Sequence, residues 1–91
     1  MRFAYQPSFL EATHRLSHTQ ATKLLKAIEK FQQAMEHHQW PQGLGMTHLR
    51  DDYFEFRVDS HVRVIYRRAG DLIEYVLYGR HDQVKGFLKA L

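Results

Sequence analysis

Hydrophobic and polar residues alternate along the second half of the chain, in three runs joined by short polar turns. These runs span Tyr53–Asp59, Val62–Arg68 and Leu72–Tyr78. Side chains of a β-strand point alternately to its two faces, so this period predicts strands that pack one face against a core. Because the connecting turns hold only two and three residues, neighbouring strands are predicted to be antiparallel.

Helical periodicity dominates the first half of the chain. One long stripe has an apolar residue at every third or fourth position, at Ala21, Leu24, Leu25, Ile28, Phe31 and Met35. This spacing predicts an amphipathic helix that starts after a cap at Ser17 or Thr19. Ser8 and Glu11 have the spacing of a capping box, which predicts a shorter helix from Ser8 to about Leu16. The two helices are predicted to form a hairpin.

Three further elements complete the predicted order. Residues 2–5 and 46–50 are predicted to be short strands, and a terminal helix is predicted after a cap at Asp82. The apolar stripe of this helix consists of Val84, Phe87, Leu88 and Leu91. The predicted fold class is α+β: an N-terminal strand and a helical hairpin packed on a small antiparallel β-sheet, with a short C-terminal helix. A chain of 91 residues is expected to form one domain, residues 1–91.

Alternation also assigns the strand side chains to two faces of the sheet. The simplest packing places the helices on the face that carries Phe54 and Val64, with Trp40 covering one end of the core. The opposite face is then open and concave. Its predicted lining is charged and consists of Glu55, Arg57, Arg63 and Arg67.

Composition narrows the chemistry that this charged face can carry. The absence of cysteine excludes disulfides, thiolate catalysis and cysteine-based zinc sites, and it fits a cytoplasmic location. No cofactor is expected, and His14 and His18 lack the third ligand that a metal site would need. The net charge is only +3, and residues 48–91 hold eight basic and seven acidic side chains. A nucleic-acid site must therefore come from the placement of the arginines.

The order of elements resembles the RelE/ParE superfamily of bacterial toxins. The most specific part runs from Tyr53 to Tyr66, where Arg57 and Arg63 stand at the positions of the two family arginines. Residues 43–50 are similar to the leucine and basic residue that enter the family's sheet. Residues 78–82 are similar to the glycine, then basic residue or histidine, that follows its last strand.

This resemblance implies a toxin whose partner is a cognate antitoxin. The RelE-like branch cleaves messenger RNA on the ribosome without a metal ion, and the ParE-like branch poisons DNA gyrase. The RelE-like reading is favoured here, with mRNA on the ribosome as the target. A homodimer stays open for the protein without its antitoxin.

Cleavage of RNA by its own 2′-hydroxyl needs a base, a cation for the crowded phosphate and an acid for the leaving 5′-oxygen. Arg63 matches the family's central arginine and is expected to hold the phosphate. Arg57, predicted diagonal to Arg63 on the neighbouring strand, is expected to reach the same phosphate. His81 is expected to transfer a proton. Glu55 is either the base or a salt-bridge partner of an arginine.

Five more residues are expected to contact RNA. They are His48, Arg50, Arg67, Arg80 and Phe87. Phe87 has no hydroxyl, so its expected role is to stack on a base. Phe87 and the nearly neutral second half of the chain also support a third hypothesis, a catalytically weak relative that acts as a protein-interaction module.

Overall fold

The computed structural model describes residues 1–91 as three helices and five strands. The bounds are β1 Arg2–Tyr5, α1 Pro7–Thr13, α2 His18–His37, β2 Thr47–Arg50, β3 Tyr53–Arg57, β4 Val62–Ala69, β5 Leu72–Arg80 and α3 His81–Ala90. The predicted α+β class and the order of its elements are confirmed. The last strand runs two residues further than predicted and passes directly into α3.

The five strands form one sheet in the order β1-β5-β4-β3-β2. β2 to β5 pair antiparallel as predicted. β1 pairs with β5 in parallel, so the sheet is mixed rather than purely antiparallel. The chain reaches β5 from β1 only after both helices and three strands, a connection long enough for a parallel pair. β5 therefore lies inside the sheet, which explains why it is apolar on both faces.

Helix termini agree with the sequence prediction at α2 and depart from it at α1 and α3. Ser17 caps α2, its hydroxyl accepting from the Gln20 backbone N–H at 3.2 Å. α1 starts one residue earlier than predicted, because Pro7 is well suited to a first helical position. The Ser8 hydroxyl donates to the Val76 carbonyl instead of capping. Asp82 lies in the first turn of α3 rather than at its cap.

The hairpin of α1 and α2 packs on the predicted face of the sheet and forms the main core. Phe31 of α2 stacks on Phe56 of β3, with ring centroids 4.4 Å apart. Both side chains are fully buried, as are Val64 and Tyr75 from the central strands. None of the three helices combines the length and the apolarity that crossing a membrane requires.

The opposite face of the sheet is only partly open, because α3 covers its centre. Val84 of α3 is buried against Ile65 and Val76, and Phe87 packs at the edge of this second cluster. The predicted open, concave face is therefore divided by a helix. Arg63 and Arg67, four residues apart on β4, lie roughly 13 Å from each other along the strand.

Two predicted core residues are instead exposed. The side chain of Leu25 is 66% exposed and that of Trp40 is 55% exposed. Leu25 lies at the edge of the α2 stripe and borders a groove between the helices. Trp40 follows the left-handed residue His38, which directs the chain away from the core after α2 ends.

Stability is expected to fall above about pH 10, because two buried tyrosines must remain neutral in the folded protein. Burial raises the pKa of Tyr66 to about 12 and also raises the pKa of Tyr75. A raised folded-state pKa stabilises fully below the unfolded value of about 10, and this contribution is lost as the pH rises through the folded value. Urea unfolding from about pH 8 to about pH 12 measures the loss. Tyr66→Phe should flatten the pH dependence, and an unchanged slope would contradict this account.

Candidate functional site

A small polar cavity opens where β4, β5 and α3 meet. It has a volume of about 350 Å³, and no hydrophobic side chain lines it. The lining residues are Ser60, His61, Arg63, Arg80, His81 and Asp82. Three of the nine residues predicted for the site, Arg63, Arg80 and His81, are therefore brought together here.

Strand register assembles this polar cavity. Arg63 on β4 lies opposite Gly79 on β5, and Val62 lies opposite Arg80. β5 ends at Arg80 and α3 begins at His81, so the imidazole follows directly from the strand next to Arg63. The partner of Arg63 on β5 is Gly79, and only Arg80 separates Gly79 from His81. The pairing of β4 with β5 thus places the arginine near the histidine.

The Arg63 guanidinium forms an ion pair with Glu55 on the neighbouring strand β3. Its Nε lies 3.8 Å from Glu55 Oε2, and the two side chains are only 20% and 16% exposed. This is a charge contact rather than a hydrogen bond, and Glu55 Oε2 is buried without a hydrogen-bond donor. Arg63 is therefore the only countercharge of a buried carboxylate, which ties its position to the stability of the sheet.

The β3–β4 turn is organised by Asp59. Its Oδ1 accepts the backbone N–H groups of His61 at 2.8 Å and Val62 at 2.9 Å. These bonds, with Lys23 nearby, lower the pKa of the carboxyl group. The Asp59 carbonyl accepts a further bond from Nη1 of Arg63 at 3.2 Å. One residue thus positions both the His61 backbone and the guanidinium.

Gly79 leaves room for the side chain that caps α3. The Arg80 backbone N–H donates to Oε1 of Gln83 at 2.8 Å. A Cβ atom at residue 79 would lie 2.5 Å from that oxygen, so Gln83 covers the space above a buried glycine. The glycine that the sequence places before the basic residue thus leaves the space that the Gln83 side chain occupies when it caps α3.

Gly79→Ala is expected to destabilise the protein by about 1 kcal/mol, because Gln83 must swing away and its capping bond is lost. Gly86→Ala on the same helix is the matched control, since a Cβ atom there meets nothing within 4 Å. That control should stabilise α3 by about 0.5–1 kcal/mol. Denaturant unfolding measures both changes, and a neutral Gly79→Ala would remove the proposed role of Gln83.

The charges around the polar cavity favour an anion. Arg63 and Arg80 contribute two fixed positive charges, and Asp82 contributes one negative charge. The N-terminal N–H groups of α3 add a partial positive charge at the same place. His61 and His81 add further positive charge when protonated. A phosphate held by the arginines would therefore have two imidazoles in the same cavity, His61 from the β3–β4 turn and His81 from the start of α3.

The remaining predicted residues lie elsewhere. Arg57 is directly opposite Arg63 in register rather than diagonal to it. Its side chain lies along Gly45, where a Cβ atom would be 3.3 Å from the arginine Nε. It borders a different cavity, on the side of the α2 lysines. Because Arg57 is the last residue of β3, its side chain is free to leave the face that the sheet alternation assigns to it.

Arg67 is held by two carboxylates at the far end of the sheet. Its Nε lies 2.8 Å from Asp52 Oδ2 and its Nη1 lies 3.1 Å from Glu74 Oε1. The hydrogen bond and charge of Asp52, followed by the contribution of Glu74, raise the pKa of Arg67. Both carboxylates therefore neutralise an arginine that was predicted from the sequence to contact RNA.

Three more predicted contacts are distant from the polar cavity. Arg50 Nη1 is 3.5 Å from the Leu88 carbonyl, at the opposite end of α3. The ring of His48 packs on Phe54, on the helix side of the sheet. Phe87 is half-buried, with its ring edge-to-face on Tyr53 at 5.3 Å. The fold thus separates them from Arg63 by a sheet face or by the length of a helix.

Sequence reasoning missed three residues that shape this site: Asp59, His61 and Gln83. An aspartate at the start of a short polar turn is a recognisable signal for an Asx turn. The role of Asp59 could therefore have been predicted from the sequence. His61 and Gln83 join the site only through pairing of distant segments, which no local pattern encodes.

No protein-family model matches the chain, and no curated protein matches its sequence. Solved structures do match. A chain of the RelB–RelE antitoxin–toxin complex from Methanococcus jannaschii has a TM-score of 0.69 at 10% identity, over 92% of this chain and 96% of that chain. YafQ from Escherichia coli has a TM-score of 0.65 at 14% identity, over 92% of this chain and 98% of that chain.

A YoeB/ParE toxin from Agrobacterium tumefaciens has a TM-score of 0.63 at 16% identity, over 89% of this chain and 99% of that chain. Each likeness covers nearly the whole of both chains, so the shared architecture is complete rather than a common fragment. The chain therefore has the fold of the RelE/ParE toxin superfamily.

Proposed function

We propose that this protein is the toxin of a toxin–antitoxin pair and that it cleaves messenger RNA on the ribosome, as a RelE-like endoribonuclease. The observation that carries the proposal is the polar cavity, in which Arg63 and Arg80 flank His61 and His81. Solved relatives of this fold are described as toxins, and some as toxins in complex with antitoxins. An anion-binding cavity with two imidazoles suits phosphoryl transfer.

The proposed reaction uses the RNA's own 2′-hydroxyl. Its oxygen attacks the adjacent phosphorus, the bond from phosphorus to the 5′-oxygen breaks, and the products are a 2′,3′-cyclic phosphate and a 5′-hydroxyl. One group removes the proton of the 2′-hydroxyl and another protonates the leaving 5′-oxygen. The imidazoles of His61 and His81 fit these two roles. Arg63 stabilises the charge that develops on the phosphoryl oxygens.

Glu55 fits a supporting role better than that of a base. Its side chain is only 16% exposed, its Oε2 is fully buried, and it does not line the polar cavity. Glu55 holds the Nε side of Arg63 and the Asp59 carbonyl accepts one N–H of Nη1, so Nη2 and the second N–H of Nη1 are left for a phosphate. Preorganising a catalytic arginine in this way is what a transition-state clamp requires.

The proposal is tested by inducing the protein in bacteria while protein synthesis and DNA supercoiling are followed separately. A ribosome-dependent nuclease arrests incorporation of labelled amino acids within minutes and leaves supercoiling unchanged. A ParE-like gyrase poison produces DNA damage while translation continues. A protein that affects neither is a binding module, and that outcome rejects the proposal.

The proposed partner is an antitoxin that covers an apolar groove between the helices. Eight of the nine residues that line this groove are hydrophobic. Leu10 and Leu25 in it are 55% and 66% exposed, and Tyr5 is 47% exposed. Apolar side chains gathered in one groove mark a protein contact, and an amphipathic helix is the segment that such a groove accommodates.

Leu10→Ser/Leu25→Ser is expected to fold normally and to resist neutralisation by the antitoxin. Both side chains are exposed, so their loss removes little core burial while it removes partner contacts. Co-expression with the antitoxin measures growth rescue, and co-purification measures the complex. Leu91→Ser, at an exposed leucine outside the groove, is the control. Unaltered rescue of the double variant would place the antitoxin on another surface.

A further inference from the structure

A second basic surface lies along α2 and shares no lining residue with the polar cavity. Two adjoining cavities follow one face of α2 and share Lys30 and Pro41 as lining residues. The cavity lined by Arg57 has a volume of about 250 Å³. The cavity lined by Trp40 has a volume of about 390 Å³. We name the continuous surface the Trp40 groove. It is defined by Lys23, Lys26, Lys30, His37, Trp40 and Arg57.

The charge of the Trp40 groove is strongly one-sided. Four of its six defining residues are lysine or arginine, and no acidic residue lines either cavity. Lys23, Lys26 and Lys30 stand at helical spacing on α2, which arranges their ammonium groups over about 10 Å of one helix face. The nearest countercharge is Asp59, 3.8 Å from Lys23, so the other three cations lack an ion-pair partner.

The groove also carries an aromatic platform. Trp40 is the only tryptophan of the chain, and its side chain is 55% exposed. It stands beside Lys30 and His37, with Gln33 and Gln39 as polar neighbours. An exposed indole next to a row of cations is the arrangement by which proteins bind single-stranded nucleic acids, with bases stacked on the ring and phosphates on the cations.

We propose that the Trp40 groove binds single-stranded nucleic acid, with one base stacked on Trp40 and the phosphate backbone following Lys30, Lys26 and Arg57. An acidic polypeptide would match the lysines equally well, but it would leave the large exposed indole without a stacking partner. The polar amides beside the ring are suited to base edges. This inference goes beyond the proposed cleavage, because it concerns binding at a surface whose lining residues are all different from those of the polar cavity.

The single tryptophan provides a direct readout. Titration of the protein with a ten-nucleotide oligoadenylate is expected to quench tryptophan fluorescence, because the ring stacks on a base. Inorganic polyphosphate and poly-glutamate carry charge without bases, so they should not quench. RNA and DNA oligomers are compared to identify the natural source. Absence of quenching by both oligomers, or equal quenching by poly-glutamate, overturns the proposal.

Variants separate stacking from charge, with a labelled oligomer as the anisotropy probe. Trp40→Ala is expected to weaken binding about 5- to 100-fold, and Trp40→Phe should restore most of it. Lys26→Gln/Lys30→Gln should lower the slope of log K against log salt by about 1.4, because two phosphate contacts are lost. Arg15→Gln/Lys89→Gln removes the same charge outside the groove. Equal slopes in the two double variants would refute a localised site.

The same titration in the Arg63→Gln/Glu55→Gln background keeps this test apart from the proposed cleavage. Quenching in a variant that no longer arrests translation supports the groove by itself. Translation arrest by the parent protein without any quenching supports the cleavage and rejects the groove. All the replaced groove side chains are exposed, so their variants are expected to keep the fold. Circular dichroism of every variant checks this.

Discussion

Arg63→Gln is expected to reduce RNA cleavage on ribosomes by about 10²–10³-fold, because it removes the charge that is proposed to stabilise the phosphoryl oxygens. The same change leaves the Glu55 carboxylate buried without a countercharge. An unpaired buried polar group destabilises by about 1–3 kcal/mol. Loss of activity in the single variant would therefore mix a chemical effect with a folding effect.

Arg63→Gln/Glu55→Gln separates these two effects. The neutral amide replaces the carboxylate at the same volume, so the double variant should regain most of the stability while it stays inactive. Denaturant unfolding measures the first quantity, and cleavage of ribosome-bound messenger RNA measures the second. Arg15→Gln, at an exposed arginine in the loop between α1 and α2, should change neither. A double variant with full activity would exclude Arg63 from the chemistry.

His81→Asn is expected to lower the cleavage rate by about 10²–10⁴-fold, the usual contribution of a positioned acid or base. His81 is exposed at the first position of α3, so asparagine should be tolerated without loss of stability. His18→Asn is a matched control, because His18 is also exposed and also begins a helix. That control should keep the parent rate.

The pH dependence of the cleavage rate distinguishes a proton-transfer role from a structural one. One group acting as acid and another acting as base give a bell-shaped pH profile. His81→Asn should remove one limb of the bell, and His61→Asn should remove the other. A bell that keeps both limbs in His81→Asn would show that the histidine contributes binding or packing rather than proton transfer.

The elements of this fold were largely predictable because their signals are local. The alternation between Tyr53 and Tyr78 fixed three strands, and the spacing from Leu24 to Met35 fixed α2. The helix-facing side of the sheet followed from the same alternation. The cap misassigned to Ser8 was decided by Pro7 at the first helical position and by the Val76 carbonyl, which accepts from the Ser8 hydroxyl. Asp82 is not a cap because β5 continues to Arg80, which takes the N-cap position of α3.

The candidate site was only half predictable. Arg63, Arg80 and His81 were expected together, and the polar cavity does hold all three. Arg67 and Arg57 carry the same charge on neighbouring strands, yet one is neutralised by Asp52 and Glu74 and the other turns toward α2. Where a long, flexible arginine directs its guanidinium depends on the partners it meets, and alternation describes only its Cβ atom.

The sequence by itself determined the elements, their order and the face that each strand buries, because hydrophobic periodicity acts over a few neighbouring residues. Tertiary structure decided which charged side chains meet. Pairing of β4 with β5 placed Arg63 beside the start of α3. Docking of α3 over Ile65 separated Arg63 from Arg67 on the same strand. Such meetings join residues far apart in the chain, so they exist only once the sheet has formed.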